Sequence, residues 1–333
     1  MSLTTTLDTG AGVSVKKPRA LPRRVFVWGA AALFTLAGLS LSGYLILRAR
    51  MAVPQAVVSM AWPDAGIPLA SRSPTYAGRG LKPAPDPRLV EALPIGLLPK
   101  IADDGTRPAT VYARPVAPVS GPLADSPRIA VLVTGAGIGH LATVEAMVKL
   151  SPDISIALSP YSSDIERQAA DIRGEGHELF LDMPVSQHDE AYGSAGPSAL
   201  SDTFDADINH NRLRWALSRL SGYVGVNGHF LDRVKGDGPV MAALSEVGER
   251  GLTLFDLGGE KAPLQLDVIL QSQAIDKALA QLEQNARMKG QAIGLAGTTP
   301  LAIDRVKNWS AGLTARGFRL VPVSALLPSN GVQ

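Results

Sequence analysis

The stretch RIAVLVTGAGIGHLATVEAMVK, residues 128–149, decides the fold of this chain. An apolar, β-branched run, Ile129–Thr134, leads into a glycine-rich turn and then into an amphipathic segment, Leu141–Lys149. The change of hydrophobic period from two residues to about 3.6 predicts a strand, a tight turn and a helix. Strand and helix patterns keep alternating towards the C-terminus, so we predict an α/β domain with a mostly parallel sheet.

The same patterns predict the other elements of this domain. Further strands are expected at Ile154–Ser159, Glu178–Asp182, Tyr223–Val226, Leu252–Asp256, Asp267–Leu270, Ala292–Ala296 and Arg319–Val323. Further helices are expected at Ile165–Arg173, Asn209–Leu220, Val240–Glu249, Gln273–Lys289 and Leu301–Ala315. A left-handed glycine should end four of the helices, namely Gly176, Gly251, Gly290 and Gly317. Eight strands with intervening helices fit either a distorted barrel or an open sheet.

The glycine-rich turn also has to be compared with the fingerprint of dinucleotide-binding proteins. Gly135, Gly137 and Gly139 give G-x-G-x-G, and His140 stands where the third fingerprint glycine belongs. No acidic residue ends the second predicted strand, which runs into Pro160. A tight strand-to-helix turn explains the glycines better, and a nucleotide-binding enzyme stays a distant third interpretation.

An apolar segment near the N-terminus predicts a membrane anchor. Val25–Leu47 is 23 residues long and carries no charge, and a helix needs roughly 20 residues to cross the hydrocarbon core. Five basic residues precede it and two follow it closely, so residues 1–24 should be a cytoplasmic basic tail. We predict a single-pass protein of the bacterial inner membrane with its C-terminal domain in the periplasm. A cleaved signal peptide and a buried core helix are the alternatives, and whether the anchor is ever cleaved stays open.

The segment between the anchor and the domain is rich in proline. Of the 25 prolines in the chain, 14 lie between Met51 and Pro127. Proline removes backbone donors from helices and sheets, so residues 48–127 are predicted to be an extended linker without a packed core. Two interpretations stay open: a flexible tether without a binding role, or a short arm, Pro94–Leu98, that docks on the folded domain.

Composition excludes several kinds of chemistry. The chain has no cysteine, which rules out disulfides, thiolate metal sites and a cysteine nucleophile. A formal net charge of +2 gives no reason to expect nucleic acid as a partner. His177 is expected to play a structural role beside the turn into its strand.

A series of short motifs, in order along the chain, resembles the divergent polysaccharide deacetylase family over residues 128–327. The motifs are Ile129–Thr134, Leu158–Tyr161, Gly176–Glu178, Met183-Pro184, Gly196-Pro197, Arg212–Leu217, Gly222–His229, Arg250–Leu252, Gly290–Gly294 and Arg316–Ser324. The resemblance implies a distorted (β/α) barrel of the polysaccharide deacetylase type, with its cleft at the carboxyl ends of the strands. It leaves residues 328–333 as a short tail. It also implies a zinc ion or another divalent metal that polarises an acetyl carbonyl and activates water.

This chain departs from the family pattern at the positions that would hold the metal. The expected Asp-Asp pair falls on Thr134 and Gly135, and the histidine of a G-H-P turn falls on Gly297. What remains is His229, in Asn227-Gly228-His229, and Asp256 at a strand end. We take His229 and Asp256 as remnants of the catalytic machinery and assign no metal ligand and no cofactor. The pocket candidates are Thr134, Gly135, Asp182, Asn227, Arg233 and Gly297.

These observations predict a membrane-anchored periplasmic protein that resembles polysaccharide deacetylases and acts in envelope carbohydrate metabolism with a degenerate catalytic site. The alternative is a non-catalytic envelope module that binds a glycan or a protein. Expected partners are therefore an envelope glycan or envelope protein, together with the inner membrane through residues 25–47.

Overall fold

A computed structural model describes residues 80–116, 118–186, 195–228, 234, 236–255 and 262–327. The predicted anchor, Val25–Leu47, lies outside these residues. Within the described ranges, no helix is long and apolar enough to cross a membrane. All of the described residues belong to one unit, Ala65–Gln333.

The centre of this unit is a curled, open parallel sheet. A separate antiparallel hairpin precedes it, formed by β1 (Val90–Leu93) and β2 (Gly96–Pro99). The central strands are β3 (Arg128–Ala136), β4 (Ser155–Leu158), β5 (Leu179–Asp182), β6 (Gly225–Asn227), β7 (Thr253–Phe255), β8 (Leu264–Gln265), β9 (Gln291–Gly297) and β10 (Arg319–Leu320). Their order is β7, β6, β5, β4, β3, β9 and β8, and β10 pairs with the beginning of β3. Among the described residues β7 and β8 are the two edges, so the sheet does not close into a full barrel there.

Seven helices are described. They are α1 (Pro108–Val111), α2 (His140–Lys149), α3 (Ile165–Gly174), α4 (Ala206–Leu217), α5 (Pro239–Glu249), α6 (Ser272–Lys289) and α7 (Pro300–Ala311). The predicted α/β class and all six predicted helices are confirmed, with ends that differ by a few residues. All four glycines expected to end helices have positive φ angles.

Both faces of the sheet are covered, which explains why its strands are almost wholly apolar. One core lies between the sheet and helices α2 to α7, and contains for example Ile156, Ile172 and Leu213. A second core lies on the other face, where Leu132 and Phe180 of the sheet pack with residues from before Arg128. Part of that second core therefore comes from the segment that the sequence predicted to be a linker.

The prediction of an extended linker over residues 48–127 is wrong for residues 81–114, which we call the N-terminal arm. Leu89 and Tyr112 of this arm are at most 2% exposed and lie in the second core, whereas Leu98, which is wholly buried, lies in the first. The prolines fit because they stand where no backbone donor is needed. Pro108, for example, begins α1, and Pro99 is the last residue of β2 on a two-stranded hairpin.

Two buried charged side chains fasten the N-terminal arm to the domain. The Arg173 guanidinium on α3 donates hydrogen bonds to the carbonyl oxygens of Lys82 and Gly222. The Glu178 carboxylate, wholly buried, accepts a hydrogen bond from the Arg114 amide at 3.1 Å. Glu178 also accepts from the Ser155 hydroxyl at 2.9 Å and the Ser324 amide at 3.1 Å. One carboxylate therefore ties the arm, β4 and the C-terminal segment together.

One predicted strand is wrong. Asp267–Leu270 was expected to be a strand, but β8 ends at Gln265 and these residues form the loop that follows it. Val268, Ile269 and Leu270 are 77%, 57% and 57% exposed, so their apolar character does not reflect burial in the sheet.

Candidate functional site

Four of the predicted pocket residues lie at the carboxyl ends of neighbouring strands. Thr134 of β3 stands opposite Gly297 of β9, and Asp182 of β5 stands opposite Asn227 of β6. In parallel sheets with this architecture, binding and catalytic groups collect at the carboxyl ends of the strands. The structure therefore brings these residues to the edge where a cleft is expected.

Asp182 is the best-defined side chain at this edge. Its Oδ2 accepts a hydrogen bond from the Gly135 amide at 2.6 Å, and its Oδ1 accepts one from the Asn227 side-chain amide at 2.7 Å. Burial raises the pKa of the Asp182 carboxyl, while the bonds from Asn227 and Gly135 oppose that rise. Both carboxylate oxygens thus already have one protein donor each.

The conformation of Gly135 makes the contact with Asp182 possible. The pairing of β3 with β4 shifts register between Val133 and Ala136, and Gly135 has a φ of +79°. Only glycine adopts this conformation without strain, although aspartate tolerates it better than most residues. The irregular end of β3 turns the Gly135 amide towards Asp182, in place of the acidic side chain that the family pattern supplies.

A second carboxylate, Asp267, lies at the neighbouring part of the edge and was missed from the sequence. Its Oδ2 accepts a hydrogen bond from the Gly297 amide at 2.8 Å, and its Oδ1 accepts one from the Gln265 side chain at 2.8 Å. A Cβ atom on Gly297 would lie 3.0 Å from that same Oδ2. The signal was hidden because the sequence placed Asp267 at the start of a strand, whereas it follows the end of one.

The Thr134 side chain makes only one weak contact at this edge of the sheet. Its hydroxyl lies 3.5 Å from the Ala296 carbonyl oxygen, the limit of a hydrogen bond. The side chain is half-buried and carries no charge. Thr134 is therefore a wall residue in the described geometry.

Three of the predicted site residues, His229, Arg233 and Asp256, lie outside the described residues. Their roles as catalytic remnants or pocket residues stay predictions. Gly228 and Phe255 are the last described residues before His229 and Asp256. Gly228 directly follows β6, and Phe255 ends the adjacent strand β7.

The described part of the edge does not fit a hydrolytic metal ion. A catalytic zinc needs about three protein ligands and one open position. Within the described ranges, no three His, Asp or Glu side chains are grouped closely enough to hold a metal. Asp182 and Asp267 are bound instead by backbone and side-chain amides. This arrangement can accept hydrogen bonds from hydroxyl or N–H groups of a ligand, because each carboxylate oxygen keeps a further lone pair.

Comparison with known proteins gives one family match. The family model for divergent polysaccharide deacetylases matches residues 131–262 and 259–327. No curated protein sequence matches the chain.

Several solved structures are similar. The crystal structure of an uncharacterised protein from Agrobacterium tumefaciens C58 is 30% identical, covers 70% of this chain and 100% of its own, and superposes with a TM-score of 0.62. A mutant of a CE4 family pseudoenzyme with restored enzymatic activity is 9% identical over 62% of this chain and 70% of its own, with a TM-score of 0.44. The catalytic domain of a peptidoglycan N-acetylglucosamine deacetylase from Eubacterium rectale ATCC 33656 is 14% identical over 66% of this chain and 96% of its own, with a TM-score of 0.39. The Agrobacterium protein thus shares this fold over its whole length.

Proposed function

Because the chain belongs to the divergent polysaccharide deacetylase family, we propose that it is a membrane-anchored periplasmic protein that acts in envelope carbohydrate metabolism. Its domain is a distorted (β/α) barrel of the polysaccharide deacetylase type. Its hydrolytic site is degenerate, and the cleft binds an acetylated glycan without releasing acetate.

The observation that carries the proposal is the hydrogen bonding of Asp182. This carboxylate stands at the edge of the sheet beside the positions where the family pattern has acids, and it binds the Gly135 amide and Asn227. A family site that kept its chemistry would need further carboxylates or histidines there to hold a metal. Thr134 and Gly135 supply none.

A glycan suits the groups that remain. Asp182 and Asp267 are acceptors at the carboxyl ends of β5 and β8, and sugars present hydroxyl and acetamido N–H donors. Charge-assisted hydrogen bonds of this kind are stronger than neutral ones. Two fixed carboxylates can therefore orient a chain of sugars without any covalent step.

The location rests on the sequence. Five basic residues precede the apolar segment Val25–Leu47 and two follow it, which favours a cytoplasmic N-terminus. With the anchor in place, a periplasmic domain would meet envelope glycan directly.

The test is a calorimetric titration of the detergent-solubilised full chain with a tetramer of N-acetylglucosamine, and with the tetramer of glucosamine as the deacetylated control. We expect saturable binding that prefers the acetylated tetramer, and no acetate release with or without added zinc. Asp182→Asn should weaken binding about tenfold or more, because the amide cannot replace both charged acceptors. Asp103→Asn, an exposed aspartate on the N-terminal arm, is the matched control and should bind like the wild type.

Three results would overturn the proposal. Stoichiometric zinc together with acetate release would make the protein a hydrolase. An absence of binding to either tetramer would favour the protein-binding module instead. Equal weakening of binding by Asp182→Asn and Asp103→Asn would mean that Asp182 does not contact the glycan.

A further inference from the structure

A cavity of about 590 Å³ lies at the end of the sheet opposite the cleft. Asp153, just before β4, and Arg319, the first residue of β10, both line it, so it opens at the amino ends of the strands. The segment that follows the N-terminal arm forms one wall, and α7 forms another. Its volume lies within the range of roughly 300–1,000 Å³ typical of small-molecule sites.

Most of the charged side chains that line this cavity are cationic. Arg114, Lys149, Lys307 and Arg319 face a single carboxylate, Asp153. The lining therefore has an excess of three positive charges. The C-terminal ends of α2 and α7 lie nearby, and each contributes roughly half a negative charge, which reduces this excess.

Neighbouring carboxylates neutralise only part of this charge. The Arg114 guanidinium is held by Asp153, with Nε 2.9 Å from Oδ1. The Lys149 ammonium is held by Asp304 at 3.2 Å and by Glu145 at 3.5 Å. Lys307 differs from both, because it forms no ion pair with any residue in the part of the chain that the structure describes. Lys307 is exposed and lines the cavity, so its ammonium is accessible to an anion there.

Much of the uncharged lining is apolar, beside Ser151, Ser310 and Thr314. Val116 and Val119 are 40% and 36% exposed, and Leu123 lies beside them on the same segment. Leu320 forms part of the facing wall, and Phe318 beside it is wholly buried. Apolar surface beside unpaired positive charge suits a ligand that is anionic at one end and apolar at the other.

We propose that this cavity binds a small organic anion with an apolar body, whose charged group lies near Lys307. The apolar body of the ligand packs against Val119, Leu123 and Leu320. The site is independent of the cleft and of the proposed glycan binding, since none of its residues lies at the carboxyl edge of the sheet.

The probe is naphthalene-1-sulfonate, titrated calorimetrically into the detergent-solubilised full chain, with protein-free detergent as the blank. We expect saturable binding with a stoichiometry near one. Lys307→Glu should weaken it about tenfold or more, because a repulsive charge replaces an attractive one close to the sulfonate. Lys277→Glu is the matched control, since Lys277 is an exposed helical lysine on α6 that does not line the cavity.

A second variant and a second probe separate charge from apolar contact. Leu123→Ala should also weaken binding of the sulfonate, and the neutral 1-naphthalenemethanol should bind more weakly than the sulfonate does. The proposal is overturned by a lack of saturable binding or by equal effects of Lys307→Glu and Lys277→Glu. It is also overturned if the neutral probe binds as tightly as the anion.

Discussion

Leu89→Ala should strongly destabilise the protein, although Leu89 lies in a proline-rich segment. The side chain is 0% exposed and packs in the second core with Leu132 and Phe180 of the sheet. Removing it leaves a cavity between the N-terminal arm and the sheet. Leu93 is the matched control, because it is a leucine of the same arm that is 39% exposed.

The size of the effect follows from the burial. Replacing a fully buried leucine with alanine costs about 2–5 kcal/mol of the free energy of unfolding. In a domain of this size each kcal/mol lowers the melting temperature by about 2–4 °C, so we expect a drop of about 6–12 °C for a loss of about 3 kcal/mol. Leu93→Ala should change the free energy of unfolding by no more than about 0.5 kcal/mol.

The measurement is urea unfolding of the full chain in detergent, followed by tryptophan fluorescence, with thermal melts as a second readout. The midpoint should fall for Leu89→Ala at an unchanged slope and stay constant for Leu93→Ala. Equal midpoints for the two variants would refute the reasoning, because they would mean that the arm does not take part in the core.

Three further predictions concern stability and topology. Glu246→Gln should lower the free energy of unfolding by about 1–3 kcal/mol, because the Glu246 carboxylate accepts hydrogen bonds from Arg250 at 2.7 Å and Arg214 at 2.8 Å. A change below about 0.5 kcal/mol by urea unfolding would contradict this. Burial lowers the pKa of His177, so below about pH 6.5 the unfolded chain takes up a proton that the folded protein does not. The free energy of unfolding should therefore fall between about pH 7 and pH 5, and fall less in His177→Gln, and equal slopes would argue against this role. A reporter fused after Gln333 should be active in the periplasm only; activity confined to the cytoplasm would reverse the predicted topology.

The parts of the fold that follow hydrophobic period could be predicted from the sequence. The runs around Ile156 and Phe180 are apolar on both faces, and the helices that cover them have clear glycine stops. The N-terminal arm could not be predicted, because its prolines hide strands and turns in which those prolines need no backbone donor. Only tertiary contacts, such as those of Leu89 and Tyr112, show that this segment is core.

The candidate site, too, could be predicted from the sequence only in part. Asp182 was predicted because it ends an unmistakable strand, Leu179–Asp182. Its bond to the Gly135 amide could not be predicted, since it depends on the register shift in β3. Asp267 was missed because Val268, Ile269 and Leu270 are apolar and resemble a strand, although they are exposed.

The buried carboxylate of Glu178 also limits the order in which the parts of the domain can fold. Its partners Arg114 and Ser324 lie 64 and 146 positions away along the chain, on opposite sides of it. Contacts of such long range form late in folding, because large loops must close before they are gained. A nascent chain that ends before Ser324 leaves Glu178 without two of its donors, the Ser324 amide and hydroxyl. The full set of donors around Glu178 is therefore assembled only after almost the whole polypeptide has been synthesised.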